Sequence, residues 1–97
     1  MKNNDLNWWR RKIDSVDEQI LELLVERQQI AKKIGEVKIL SGCSILDNAR
    51  EKMVINDKEE KGEKLGLKKN YVASIWSLLM SSSKEAQKEV FYGWREF

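Results

Sequence analysis

Residues 5–41 read DLNWWRRKIDSVDEQILELLVERQQIAKKIGEVKILS. Within them apolar residues recur at Leu6, Trp9, Ile13, Val16, Ile20, Leu23, Ile30, Ile34 and Val37, alternating steps of three and four with one longer gap. That is the period of an amphipathic α-helix. Asp5 can accept bonds from the first free N–H groups, and Gly42 can adopt the left-handed conformation that closes a last turn. The helix then runs about 35 residues, or roughly 50 Å at 1.5 Å per residue. A compact chain of 97 residues has a radius of gyration of only about 12–13 Å, so such a helix protrudes unless a second chain covers it. The expectation is an intertwined helical homodimer.

Downstream, Asp47 is placed to cap a shorter helix that passes through Ala49, Met53 and Val54 to about Lys61. The stretch from Lys58 to Gly66 is highly charged and contains Gly62 and Gly66, so it reads as a fraying helix end and a solvated connection. A third helix is predicted from about Lys68 to Trp94, with Tyr71, Val72, Ile75, Leu78, Leu79, Ser82, Ala86 and Val90 on one side. No strand pattern or internal repeat is visible. The chain reads as all-α, with one long, one short and one medium-long helix in a single domain over residues 1–97.

Composition narrows the chemistry. Eighteen Lys and Arg against 16 Asp and Glu leave a net charge of +2, without the continuous basic stripe of a nucleic-acid binder. No apolar run approaches the roughly 20 residues of a membrane span, and Met1-Lys2-Asn3-Asn4-Asp5 lacks a secretory pattern, so a cytoplasmic protein is expected. Histidine is absent and Cys43 is the sole cysteine, which excludes imidazole-dependent catalysis, a disulfide within the chain, and metal sites of the His or Cys kind. Chemistry falls to Arg, Lys, carboxylates, amides and hydroxyls. Trp8, Trp9, Trp76 and Trp94 read as core and interface anchors.

Polar residues in apolar slots carry the functional signal. Arg27 occupies the seam position between Leu23 and Ile30, where a guanidinium is costly to bury unless paired. Taken alone, it reads as an interhelical ion pair with a carboxylate before it reads as a ligand site. Lys38 lies 11 residues further on, within about 20° of the same face and roughly 16 Å along the axis. On the third helix Ser83 and Gln87 stand four apart near the apolar stripe, and Asp47, Arg50 and Glu51 share one face at the start of the second. A helix cap with a surface ion pair is the plain account of that trio. Together, several cations with an amide, a hydroxyl and a carboxylate describe a pocket for a small hydroxylated polyanion, with no evident nucleophile. Arg10 is 17 residues, about 25 Å, from Arg27, so it can serve the same ligand only from the partner helix of an antiparallel dimer.

Arg10-Arg11-Lys12-Ile13-Asp14-Ser15-Val16-Asp17, Leu23-Leu24-Val25-Glu26-Arg27, Ile34-Gly35-Glu36-Val37-Lys38 and Asp47-Asn48-Ala49-Arg50-Glu51, followed by Ser83 and Gln87, resemble the all-helical class of chorismate mutase. The likeness covers Leu6 to about Gln87. It implies an intertwined homodimer with two equivalent active sites that rearranges chorismate to prephenate, in the shikimate pathway toward phenylalanine and tyrosine. It implies no cofactor and no metal. Arg27, and Arg10 of the other subunit, would clamp the two substrate carboxylates with Ser83 assisting at one. Lys38 and Gln87 would hydrogen-bond the ether oxygen, Glu51 would accept from the ring hydroxyl with help from the Asp47 region, and Arg50 would act nearby through water. The loop Gly42-Cys43-Ser44-Ile45 departs from the pattern in lacking a proline, as does Lys68 at a position where a better helix cap is common. Gly35, inside the first helix, would permit close approach at the pocket wall. The rival readings are an isochorismate-pyruvate lyase on the same scaffold and a non-catalytic helical dimerisation module, with nucleic-acid binding a weaker third.

Overall fold

A computed structural model describes residues 4–95, with only the backbone of Trp94 and Arg95. It contains three helices, α1 (Leu6–Ser41), α2 (Asn48–Lys64) and α3 (Lys69–Arg95), and no strand among the described residues. The all-α expectation holds. No helix among the described residues is long and apolar enough to cross a membrane. Trp94 was expected to be an anchor, but its side chain lies outside the described residues.

The helix ends follow from side-chain chemistry. The Asp5 carboxylate accepts from the N–H groups of Asn7 at 2.9 Å and Trp8 at 3.3 Å, two of the donors a helix start leaves unmet. At the other end Gly42 takes φ 69°, with its N–H on the Ile39 carbonyl and the Cys43 N–H on that of Lys38. This crossed pair is the Schellman closure. Asp47 caps α2 by accepting from the Arg50 N–H at 3.0 Å.

The reading of the Lys58–Gly66 stretch needs correction. Only Gly66, at φ 94°, ends α2, with the Leu67 N–H returning to the Gly62 carbonyl and the Gly66 N–H to that of Glu63. Gly62 lies inside the helix and is buried. A Cβ there would sit 2.7 Å from Cγ2 of Val72, so the missing side chain lets α2 and α3 close on each other. The charged residues around it hid a packing contact.

Helix α3 is the central element, and both α1 and α2 pack on it. It runs antiparallel to α2, Glu51 meeting Lys84 at one end and Gly62 meeting Val72 at the other. It runs parallel to the C-terminal half of α1, where Arg27 reaches Leu79 and Gly35 backs onto Gln87. Among the described residues the buried apolar side chains are Ala31, Val72 and Ala86, all small. Such a core brings helices close but removes little apolar area from water.

The N-terminal half of α1 has no buried residue, and Leu6, Trp9, Ile13, Val16, Ile20 and Leu23 are all exposed. Trp8 and Trp9 meet edge to face at 4.5 Å on this half, so in this chain they are not core residues. On α3, Tyr71 and Leu78, assigned to the apolar side, are exposed as well. The radius of gyration is 17.6 Å, well above the value of about 12–13 Å for a compact chain of this length.

Helix propensity alone would make Gly62→Ala stabilising by about 1 kcal/mol. The contact with Val72 reverses the sign, and a loss of about 1–3 kcal/mol in urea unfolding is expected. In Gly62→Ala/Val72→Ala the two losses should be less than additive, because the smaller neighbour makes room.

Candidate active site

Because α1 and α2 both pack on α3 rather than on each other, a groove opens between them with α3 as its floor. Its volume is about 920 Å³, within the range of small-molecule sites. Arg27, Lys38, Asp47, Arg50, Glu51, Ser83 and Gln87 all line it. Seven of the eight residues singled out from sequence therefore converge on one place. Arg10 does not: it is exposed on the outlying half of α1 and is absent from the groove of its own chain. A smaller hollow of about 370 Å³ under residues 42–46 shares Lys38, its one charged lining residue among those described.

Arg27 is half-buried on the seam between α1 and α3. Its Nη1 donates to the Leu79 carbonyl at 3.0 Å and, at short range, to Ser83 Oγ, which itself donates to the Leu79 carbonyl at 2.9 Å. The ion pair that the residue suggests in isolation does not form, and no carboxylate among the described residues pairs with it. Burial pushes its pKa below the ordinary arginine value, yet a guanidinium stays charged at neutral pH. The protein thus holds a desolvated positive charge against neutral acceptors only.

Lys38 repeats the arrangement in the last turns of α1. Its Nζ donates to the Ile45 carbonyl at 3.1 Å and to Gln87 Oε1 at 2.9 Å, again without a carboxylate among the described residues. Gln87 is only 7% exposed and is the buried polar residue of the core. With Oε1 engaged by Lys38, the amide orientation is set and Nε2 remains a donor. A Cβ on Gly35 would lie 3.0 Å from the Gln87 Cα, so the glycine admits α3 at the pocket wall, as expected from sequence.

The α2 wall is different, since its carboxylates are matched. Glu51 Oε1 pairs with Lys84 Nζ at 3.0 Å, and Asp57 Oδ2 pairs with Lys61 at 3.0 Å and Lys58 at 3.3 Å. Hydrogen bonds from Lys61 and then Lys58 hold the Asp57 carboxyl below its ordinary range. The Asp47 carboxylate serves as the helix cap. The groove's cations without a carboxylate partner among the described residues are therefore Arg27 and Lys38 on α1 and Arg50 at the start of α2.

Comparison with known proteins agrees with this geometry. The family model for chorismate mutase type II matches residues 9–88. The chain belongs to that family. A chorismate mutase of Methanocaldococcus jannaschii is 32% identical over 80 residues, covering 82% of this chain and 81% of that protein. The bifunctional chorismate mutase/prephenate dehydratase of Buchnera aphidicola from Acyrthosiphon pisum is 33% identical over 88 residues, 91% of this chain and 23% of that protein. The corresponding protein of Escherichia coli K12 is 31% identical over 85 residues, 88% of this chain and 22% of that protein. This chain thus spans under a quarter of the length of these bifunctional members.

Sequence reasoning missed Lys84, Trp76 and Met80, which also line the groove of this family member. Trp76, Met80, Ser83 and Gln87 are spaced four, three and four apart, a stripe that could have found the first two. Lys84 lies about 60° round the helix from Gln87, toward α2, and only the position of α2 shows that it faces the site.

A charge held for a ligand costs stability in the ligand's absence. Arg27→Met is expected to match the parent's unfolding free energy or exceed it by about 1 kcal/mol in chemical denaturation. A loss above about 2 kcal/mol would mark Arg27 as a structural residue instead.

Proposed function

We propose that this chain is a chorismate mutase, an isomerase that converts chorismate to prephenate without a covalent intermediate. The observation that carries the reading is the pair of cations, Arg27 and Lys38, held in one groove by neutral acceptors alone. Such a site lacks an anion, and chorismate supplies two carboxylates. Family membership supports the same substrate.

The reaction is pericyclic: a C–O bond breaks while a C–C bond forms, and no nucleophile, proton transfer or cofactor takes part. What a protein can contribute is restraint of the side chain over the ring and stabilisation of charge growing on the ether oxygen. Arg27 suits a carboxylate because its fork presents parallel donors, and Ser83 stands beside it. Lys38 and the free amide nitrogen of Gln87 are neighbours, so both can donate to one ether oxygen. Glu51 accepts the ring hydroxyl, the Asp47 turn holds the start of α2, and Arg50 acts through water at the groove edge.

The second carboxylate needs a further cation, and Arg10 of a second copy provides it. A dimer also explains why the apolar stripe of α1 is exposed in the single chain. In this reading the three helices form one domain that is completed only by its partner. The exposed free thiol of Cys43 suits a reducing compartment such as the cytoplasm.

Loss of chorismate absorbance with appearance of prephenate is the direct assay. The parent should turn over, and Lys38→Ala, folded by circular dichroism, should lose at least about a hundredfold in kcat, the scale of one removed donor at developing charge. Near-normal turnover by that variant would refute the assigned role. Sedimentation should show a dimer at micromolar concentration, and a monomer would refute the shared site.

A further inference from the structure

We infer that Lys84 is a positioning residue for Glu51, and that it is what allows a carboxylate to stand in the wall of a dianion site. The inference rests on the mutase reading and deepens it. A carboxylate in such a groove repels the substrate's own carboxylates. Asp57 is matched by Lys61 and Lys58, and Asp47 is spent on capping α2. Glu51 has one side-chain partner among the described residues, Lys84, at 3.0 Å. Both side chains are about three-quarters buried, at 29% and 25% exposure, unlike the open pairs Lys33–Glu36 and Lys69–Glu63.

The position of Lys84 on α3 fits this role. Going round that helix, Ser83 faces Arg27 on the α1 side, Gln87 is about 40° further on, and Lys84 about 100° further on, toward α2. Its ammonium therefore approaches Glu51 from the floor of the groove. Engaged through Oε1, Glu51 keeps Oε2 free as an acceptor. Chorismate offers one group that can donate to it, the ring hydroxyl. Lys84 thus offsets the charge of Glu51 and fixes its orientation, so that the carboxylate reads a hydroxyl while repulsion of the dianion is reduced.

The test compares chorismate with an analogue in which hydrogen replaces the ring hydroxyl, using the parent, Lys84→Met, Lys84→Arg, Glu51→Gln and Lys84→Met/Glu51→Gln. In Lys84→Met the preference in kcat/KM for chorismate over the analogue should fall about tenfold, the scale of a hydrogen bond to a charged group. Lys84→Arg should restore most of it. Glu51→Gln should lose a similar factor, and the double variant little more than either single one. Preference within twofold of the parent in Lys84→Met, or equal loss on both substrates, would overturn the inference while leaving the mutase reading intact. A parent that does not consume chorismate would overturn both.

Discussion

The structure turns on a guanidinium that the protein desolvates and does not neutralise. Arg27 lies on the seam where α1 meets α3, and its partners are a carbonyl and a hydroxyl. A carboxylate in that place would have made the seam more stable and closed the site to anions. Lys38, set against Gln87 and the Ile45 carbonyl, follows the same rule one groove-length away. Both cations are oriented by their neutral acceptors before any ligand arrives, which is the preorganisation that electrostatic catalysis requires. Charge balance on the opposite wall then matters: with Glu51 and Asp57 matched by lysines, the carboxylates of α2 do not cancel the unpaired cations Arg27 and Lys38.

Backbone proximity makes this arrangement possible. Gly35 admits Gln87, and Gly62 admits Val72, at distances that a methyl group would disturb. The helices therefore meet through small residues, and long side chains are left to span the groove between α1 and α2. The consequence is a thin core of Ala31, Val72 and Ala86 among the described residues, and an apolar stripe on α1 that stays exposed. In the proposed dimer, a second copy addresses both deficits and brings Arg10, about 25 Å from Arg27 on its own helix, to the neighbouring groove.

Much of this was legible in the residues. The three-and-four spacing of α1, its Asp5 cap and its Gly42 stop need no tertiary information, and neither does the recognition that Arg27, Ser83 and Gln87 are polar in apolar slots. Periodicity tells which face a residue occupies but not what lies opposite. For that reason Arg27 suggested an ion pair that the structure replaces with neutral acceptors. Gly62 looked like a helix breaker because its partner, Val72, is ten residues away across a turn. Lys84 escaped notice because it faces the groove only once α2 is in place.

The proposed active site depends on two chains building one anion site around Arg27. Arg10→Ala and Arg27→Ala are each expected to be inactive as homodimers. Mixed after reversible unfolding, they should form heterodimers in which one of the two grooves has both arginines, so activity should return to about a quarter of the parent's. No recovery in a mixture shown to contain heterodimer would contradict the composite site and the role given to the guanidinium at its centre.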